Sequence, residues 1–182
     1  MPESTATGAS TDPFRITVVC LGNICRSPIG QAVLQARIER LGLEGQITID
    51  SAGTGDWHVG HEADVRARAI LQSHGYSLAH RARQIDPSWM NSINLLLAMD
   101  TSNFRDLGRM VEVSGQRTPL RMFRSFDPAN LGVPDGDSQL DVPDPYYGDS
   151  DGFEVVLRML EAASDGLVAQ LPDLIVEAKA GG

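Results

Sequence analysis

The 182 residues contain only two cysteines, Cys20 and Cys25, and a single lysine, Lys179, among fifteen cationic side chains. Two cysteines are too few for a disulfide scaffold and fit a reducing compartment. No apolar run reaches the length of a membrane span. The opening stretch, rich in Ser, Thr, Ala, Gly and Pro, also lacks the apolar core of a signal peptide. Residues 1–13 therefore read as a disordered extension, and the chain is expected in the cytoplasm. The shortage of cations, 15 against 24 acids, leaves a net charge of −9, which argues against nucleic acid or an anionic membrane as partner. His58, His61 and His74 fall at irregular spacing, with no cysteine or carboxylate to complete a tetrahedral set. Gly53-Thr54-Gly55 lacks the third glycine and the helix of a dinucleotide loop. No metal and no cofactor are expected.

What is present fits one domain over 14–175, followed by a flexible tail over 176–182. Ile16 to Val19 is an apolar strand ended by Cys20, and a helix opens at Ser27-Pro28. Leu34, Ile38 and Leu41 fall at i, i+4 and i+7 of that helix before Gly42 stops it. Ile47 to Ile49 is a short strand and Ala63 to Ser73 a helix. Asn94 to Met99 is a continuous apolar strand, the pattern of a parallel strand covered on both faces. Asp100 or Thr101 caps a further helix, Leu120 to Phe123 is a fourth strand, and Phe153 to Leu171 a last helix. Such alternation implies an α/β fold, a parallel sheet with helices on both faces in three layers. Residues 127–154 carry eight acids and no Lys or Arg and read as a solvated loop. Within them, 131–142 reads as a long, mobile approach to Asp144.

Cys20 to Ser27, Cys-Leu-Gly-Asn-Ile-Cys-Arg-Ser, is the segment richest in chemistry. The Cys20 sulfur sits at the carboxyl edge of the sheet, where ligands of open α/β folds bind. Gly22 lets the backbone turn, and Asn23 tolerates a left-handed conformation. Amides from Leu21 through Gly22, Asn23, Ile24 and Cys25 to Ser27 can then converge on an anion. Pro28 suits the first helical turn, whose positive end faces the same point. Arg26 adds a planar fork matched to phosphate oxygens. A free thiol is only a few per cent ionised at neutral pH, roughly, so this surround is what a sulfur nucleophile requires.

Continued by Pro28, the octapeptide resembles the signature loop of the low-molecular-weight protein tyrosine phosphatases. Ser51-Ala52-Gly53-Thr54, Trp57, His80-Arg81-Ala82-Arg83-Gln84, Met99-Asp100 and Asp144-Pro145-Tyr146-Tyr147-Gly148 match family patterns in the same order. The resemblance implies four strands in order 2-1-3-4, with the phosphatase loop between the first strand and the first helix. It implies a phosphotyrosine phosphatase in which Cys20 forms a phosphocysteine, Arg26 clamps the equatorial oxygens and Ser27 assists the sulfur. Asn23, Ser27, Ser51 and His80 would support the loop, and Asp144 would be the general acid. Leu21, Ile24, Trp57, Tyr146 and Tyr147 would form the substrate slot. Cys25 matches a family cysteine that closes a reversible disulfide onto the nucleophile. Phosphotyrosine proteins are the implied substrates and inorganic phosphate the product. A tyrosine kinase acting on Tyr146 or Tyr147 is a candidate partner.

Four rivals stand beside this reading. An arsenate reductase needs further cysteines that the chain lacks. A cysteine phosphocarrier without hydrolysis needs neither Arg26 nor Asp144. A protein arginine phosphatase shares nearly the same loop, but such relatives tend to carry threonine where Ile24 stands and lack the paired tyrosines. A catalytically dead phosphotyrosine-binding module is disfavoured because no catalytic position is missing.

Overall fold

A computed structural model describes residues 12–181. Strand β1, Phe14–Cys20, is buried at every position except Arg15, as its apolar run requires of a central parallel strand. It pairs in parallel with β2, Ile47–Gly53, on one side and with β3, Leu95–Ala98, on the other. Strand β4, Leu120–Met122, adds in parallel to β3, so the sheet order is β2-β1-β3-β4. The register sets Val18 opposite Ser51 and Cys20 opposite Gly53. The carboxyl end of β2 is thereby delivered beside the loop that leaves β1.

Alternate strand residues feed two cores, one per face. Ile16, Val18, Cys20, Leu95 and Leu97 pack with helices α1 (Arg26–Arg40), α2 (Val65–Ser73) and α4 (Ser150–Ala180). Val19, Leu96 and Ala98 pack on the opposite face against Leu107 of α3 (Thr101–Ser114) and Met90 of the 3₁₀ turn Pro87–Ser92. The three-layer α/β arrangement expected from the sequence is the one found.

Two expectations need amendment. Helix α4 runs on to Ala180 through Pro172, so residues 176–180, expected as tail, are helical. Its fully buried face ends at Leu171, and beyond it Leu174, Ile175 and Ala178 pack partly buried against the core. The segment 131–142 is not a loose approach. Asp135 accepts from Met122 N at 2.7 Å and pairs with Arg121, and Asp141 accepts from Thr101 N at 2.7 Å. Arg124 Nη1 donates to the carbonyls of Gln139 and Asp141, and Leu140 and Val142 are buried. The extension expected over 1–13 lies, up to residue 11, outside the described residues. Among the described residues no helix is long and apolar enough to cross a membrane.

Helix α4 approaches the 3₁₀ turn Phe123–Phe126 through a glycine. A methyl group on Gly166 would lie 1.8 Å from the Phe126 carbonyl oxygen, whereas one on Gly108 in α3 would find its nearest neighbour at 3.9 Å. Gly166→Ala should therefore destabilise the protein by about 1–3 kcal/mol through overpacking. Gly108→Ala should stabilise it by up to about 1 kcal/mol through helix propensity. Thermal or urea unfolding of the two variants checks the opposite signs.

Candidate active site

The loop Cys20–Arg26 is held around one residue. Asn23 has φ 56°, a left-handed conformation disfavoured by about 1–2 kcal/mol for an L-residue. Its side-chain amide and backbone carbonyl secure it. Nδ2 donates to Ser27 Oγ at 2.8 Å and to Ser51 Oγ at 2.9 Å, and Oδ1 accepts from Arg83 N at 2.9 Å. The Asn23 carbonyl accepts from His80 Nε2 at 2.7 Å. Ser51 Oγ donates to Gln31 Oε1 at 2.6 Å. Arg83 is itself fixed, donating from Nε to the Ser51 carbonyl at 2.9 Å and lying 4.7 Å above the Trp89 ring. Beneath the loop, a methyl group on Gly53 would fall 2.7 Å from Leu21 O and 3.1 Å from Asn23 N.

This scaffold aims donors at sulfur. Asn23 N donates to Cys20 Sγ at 3.3 Å. Ser27 Oγ lies 3.0 Å from the same sulfur. Because Ser27 Oγ already accepts from Asn23, its single proton is free to point at a thiolate, the competing Ala52 carbonyl being farther away at 3.4 Å. Helix α1 begins at Arg26, with Cys25 at its N-cap and no side-chain cap, so its first amides are open to an anion.

Arg26 is 3% exposed. Its Nη1 donates to Asp100 Oδ2 at 2.6 Å and to the Val142 carbonyl at 3.0 Å, and its Nη2 lies 3.6 Å from Asp144 Oδ2. Burial works against the guanidinium charge, but the neighbouring Cys20 and the bond to Asp100 more than offset it, so the pKa of Arg26 is raised. Asp100 does two jobs. Its Oδ1 caps α3 by accepting from Asn103 N at 2.8 Å while Oδ2 aims Arg26. The sequence pointed to the cap alone.

Around these groups a cleft of about 380 Å³ is lined by Cys20, Leu21, Gly22, Ile24, Cys25, Arg26, Trp57, His58, Asp144, Tyr146 and Tyr147. Asn23, Ser27, Ser51 and His80 stand behind the loop rather than in the cleft. Asn23 and Ser27 bond to Cys20 in the cleft, and Ser51 and His80 bond to Asn23. Trp57 is 68% exposed and Tyr147 93%, so both are open rim rather than closed wall. Trp57 folds over Gly55, where a methyl group would meet its ring at 1.9 Å. His58 was not expected in the cleft. Its ring lies 6.1 Å from that of Tyr146, and its place beside Trp57 in sequence was the available signal. Asp144 accepts from Tyr146 N at 3.1 Å through Oδ1, leaving Oδ2 toward Arg26.

Cys25 and His80 are shifted by burial. The Cys25 thiol is pushed well above the ordinary thiol range by burial, reinforced by the negative charges of Asp64, Cys20 and Asp144, so it stays protonated. His80 is held below its ordinary value by burial, aided by Arg83 and opposed by the bond to Asn23. It is neutral at pH 7, with its proton on Nε2 to donate to the Asn23 carbonyl.

The low molecular weight phosphotyrosine protein phosphatase family model matches residues 15–175. The chain belongs to this family. A low molecular weight protein-tyrosine-phosphatase of Streptomyces coelicolor is 48% identical over 162 residues, covering 89% of this chain and 96% of its own. Low molecular weight protein-tyrosine phosphatase A of Mycobacterium tuberculosis is 43% identical over 157 residues, covering 86% and 91%. A crystal structure of protein tyrosine phosphatase from Entamoeba histolytica, with Hepes in the active site, superposes with a TM-score of 0.76. It is 31% identical and covers 88% of this chain and 97% of its own. As a member of this cysteine-based family, the chain is a phosphoric monoester hydrolase.

The His80 shift predicts a pH dependence of known sign. A histidine whose folded pKa lies below its unfolded value of about 6.5 leaves the unfolded chain binding more protons, so stability falls as pH drops through that value. His80→Gln removes this titration. Its stability cost relative to wild type should be largest near pH 7.5 and shrink toward pH 5.5 in parallel urea unfolding.

Proposed function

We propose that the protein hydrolyses phosphotyrosine in proteins by two displacements at phosphorus. Cys20 Sγ attacks in line, the S–P bond forms as the P–O bond to the phenol breaks, and Asp144 delivers its proton to the departing oxygen. Asp144, now a carboxylate, then takes a proton from water, whose oxygen attacks phosphorus and returns Cys20 as thiolate with inorganic phosphate as product. Arg26, the amides of residues 21–27 and the start of α1 stabilise the equatorial oxygens in both steps. One such preorganised donor is typically worth about 2.7–4 kcal/mol.

One observation carries this reading. Cys20 Sγ receives the Asn23 N–H and faces the Ser27 hydroxyl, while Arg26 and Asp144 line the same cleft. A tyrosine leaving group has a pKa near 10, so expelling it calls for an acid, and a positioned one contributes about 10² to 10⁴ in rate. Leu21, Ile24 and Tyr146 flank the ring of the substrate, with Trp57 and Tyr147 at the rim. Ser27, whose oxygen accepts from Asn23 so that its proton can face Cys20, steadies the sulfur when it leaves phosphorus.

Cys25 lines the same cleft as Cys20, and both are free thiols. That neighbourhood supports a reversible disulfide that shields the nucleophile from over-oxidation. A reducing, cytoplasmic setting is supported instead by the small number of cysteines, two in 182 residues. The exposure of Tyr147 supports its phosphorylation by a tyrosine kinase more than that of Tyr146.

Initial rates with phosphotyrosine, phosphoserine and phosphoarginine peptides test the substrate class. Phosphotyrosine should be hydrolysed fastest, and a preference for phosphoarginine would overturn the reading. Cys20→Ser should lose turnover yet still bind inorganic phosphate by calorimetry. Appreciable residual hydrolysis would remove Cys20 as nucleophile.

A further inference from the structure

Beyond Val142 the chain makes an excursion, 143–149, exposed at every position but Pro145, before α4 begins, and this excursion carries Asp144 and the two tyrosines. Its internal bonds are local: Tyr146 N to Asp144 Oδ1 and Gly148 N to Pro145 O. Among the described residues, the side chain that hydrogen-bonds its carbonyls is Arg66. Nη2 donates to Tyr146 O at 2.9 Å and Nη1 to Gly148 O at 3.0 Å.

Arg66 is fixed from behind. Asp64, the N-cap of α2, accepts Arg66 N at 2.8 Å and takes the guanidinium as a fork, Nε to Oδ1 and Nη2 to Oδ2, both at 3.0 Å. The Arg66 Cζ lies 4.7 Å from the ring centroid of buried Phe153 in α4 and 5.8 Å from that of Tyr146. Asp64 N in turn donates to the Ile24 carbonyl at 2.8 Å. A continuous path therefore runs from the phosphate loop, through the first turn of α2, to the segment bearing Asp144. A planar, five-donor cation suits this post because it can hold a carboxylate and two carbonyls at once.

We propose that Arg66 is a positioning residue for the reaction. It sets the reach of Asp144 and the stance of the Tyr146 wall against the phosphate loop, and it touches neither substrate nor the reacting atoms. The proposal rests on Asp144 being the general acid. If so, loosening Arg66 hurts the step in which a proton must be delivered and spares leaving groups that depart without one.

The test is kcat/KM, which reports the steps up to phosphoryl transfer onto Cys20 and not the later hydrolysis, for a series of aryl phosphates with leaving-group pKa from nitrophenol to tyrosine, in wild type, Arg66→Ala, Asp144→Asn and the double variant. Arg66→Ala should lose about 10- to 100-fold on the poorest leaving groups, the cost of a misplaced catalytic group, and stay near wild type on the best. The double variant should be no slower than Asp144→Asn alone, the non-additivity of groups that act as a unit. Arg66→Lys, which keeps the charge and loses the fork, should not restore the rate. If Arg66→Ala fails to fold, Asp64→Asn keeps the cap, weakens the clamp and should show the same dependence on leaving group. A uniform loss across the series, or none, with Asp144→Asn still selective would overturn the role of Arg66. A flat response in Asp144→Asn itself would instead overturn the assignment of the acid, and the proposal with it.

Discussion

The cleft depends on holding Asn23 in a left-handed backbone conformation that most side chains disfavour and asparagine tolerates. Its amide spans Ser27, Ser51 and the Arg83 N–H, while its carbonyl takes the His80 proton. Each bond is worth only about 0.5–1.5 kcal/mol net, but together they exceed the cost of the left-handed turn. The turn in turn directs Asn23 N at sulfur and orients the Ser27 hydroxyl. Catalytic geometry is thus assembled from residues spread over β1, α1, β2 and the stretch from His80 to Arg83. The parallel register, with Val18 against Ser51, is what lets them meet.

Charge is balanced with comparable economy of parts. A buried guanidinium is costly unless paired, and Arg26 is paired through Asp100, which also caps α3. Asp144 stands 3.6 Å from the other nitrogen, close enough to share the cation and exposed enough to meet a leaving group. Arg26 therefore links three elements, the first turn of α1, the end of β3 and the segment entering α4. Arg66 links α2 to that same segment through the carbonyls of Tyr146 and Gly148.

The legible parts of the sequence were the local ones. Cys20 at a strand end, Gly22 and Asn23 in the turn and Pro28 in the first helical turn each carry a short-range meaning, and the loop formed as they indicate. The apolar run before Met99 likewise marked a doubly covered strand. What escaped depends on partners far away in the chain. Asp100 is 74 residues from Arg26, and nothing near Asp100 reveals its second role. Arg66 reads as an ordinary helical cation, because its carbonyl partners lie 80 and 82 residues away. The segment 131–142 reads as loose because its anchors, Thr101, Arg121 and Arg124, sit outside it. The end of α4 was missed because its fully buried face stops at Leu171 and Pro172 follows.

The central claim is that sulfur, steadied by the Asn23 N–H, the Ser27 hydroxyl and Arg26, carries the phosphoryl group between substrate and water. Rapid acid quench of a phosphotyrosine turnover, followed by peptide mass spectrometry, tests it directly. The account predicts a single phosphoryl group on the peptide containing Cys20, accumulating further in Asp144→Asn when a nitrophenyl phosphate, whose departure needs no acid, replaces phosphotyrosine. Full turnover with no phosphorylated Cys20, or with the label on another residue, would contradict it.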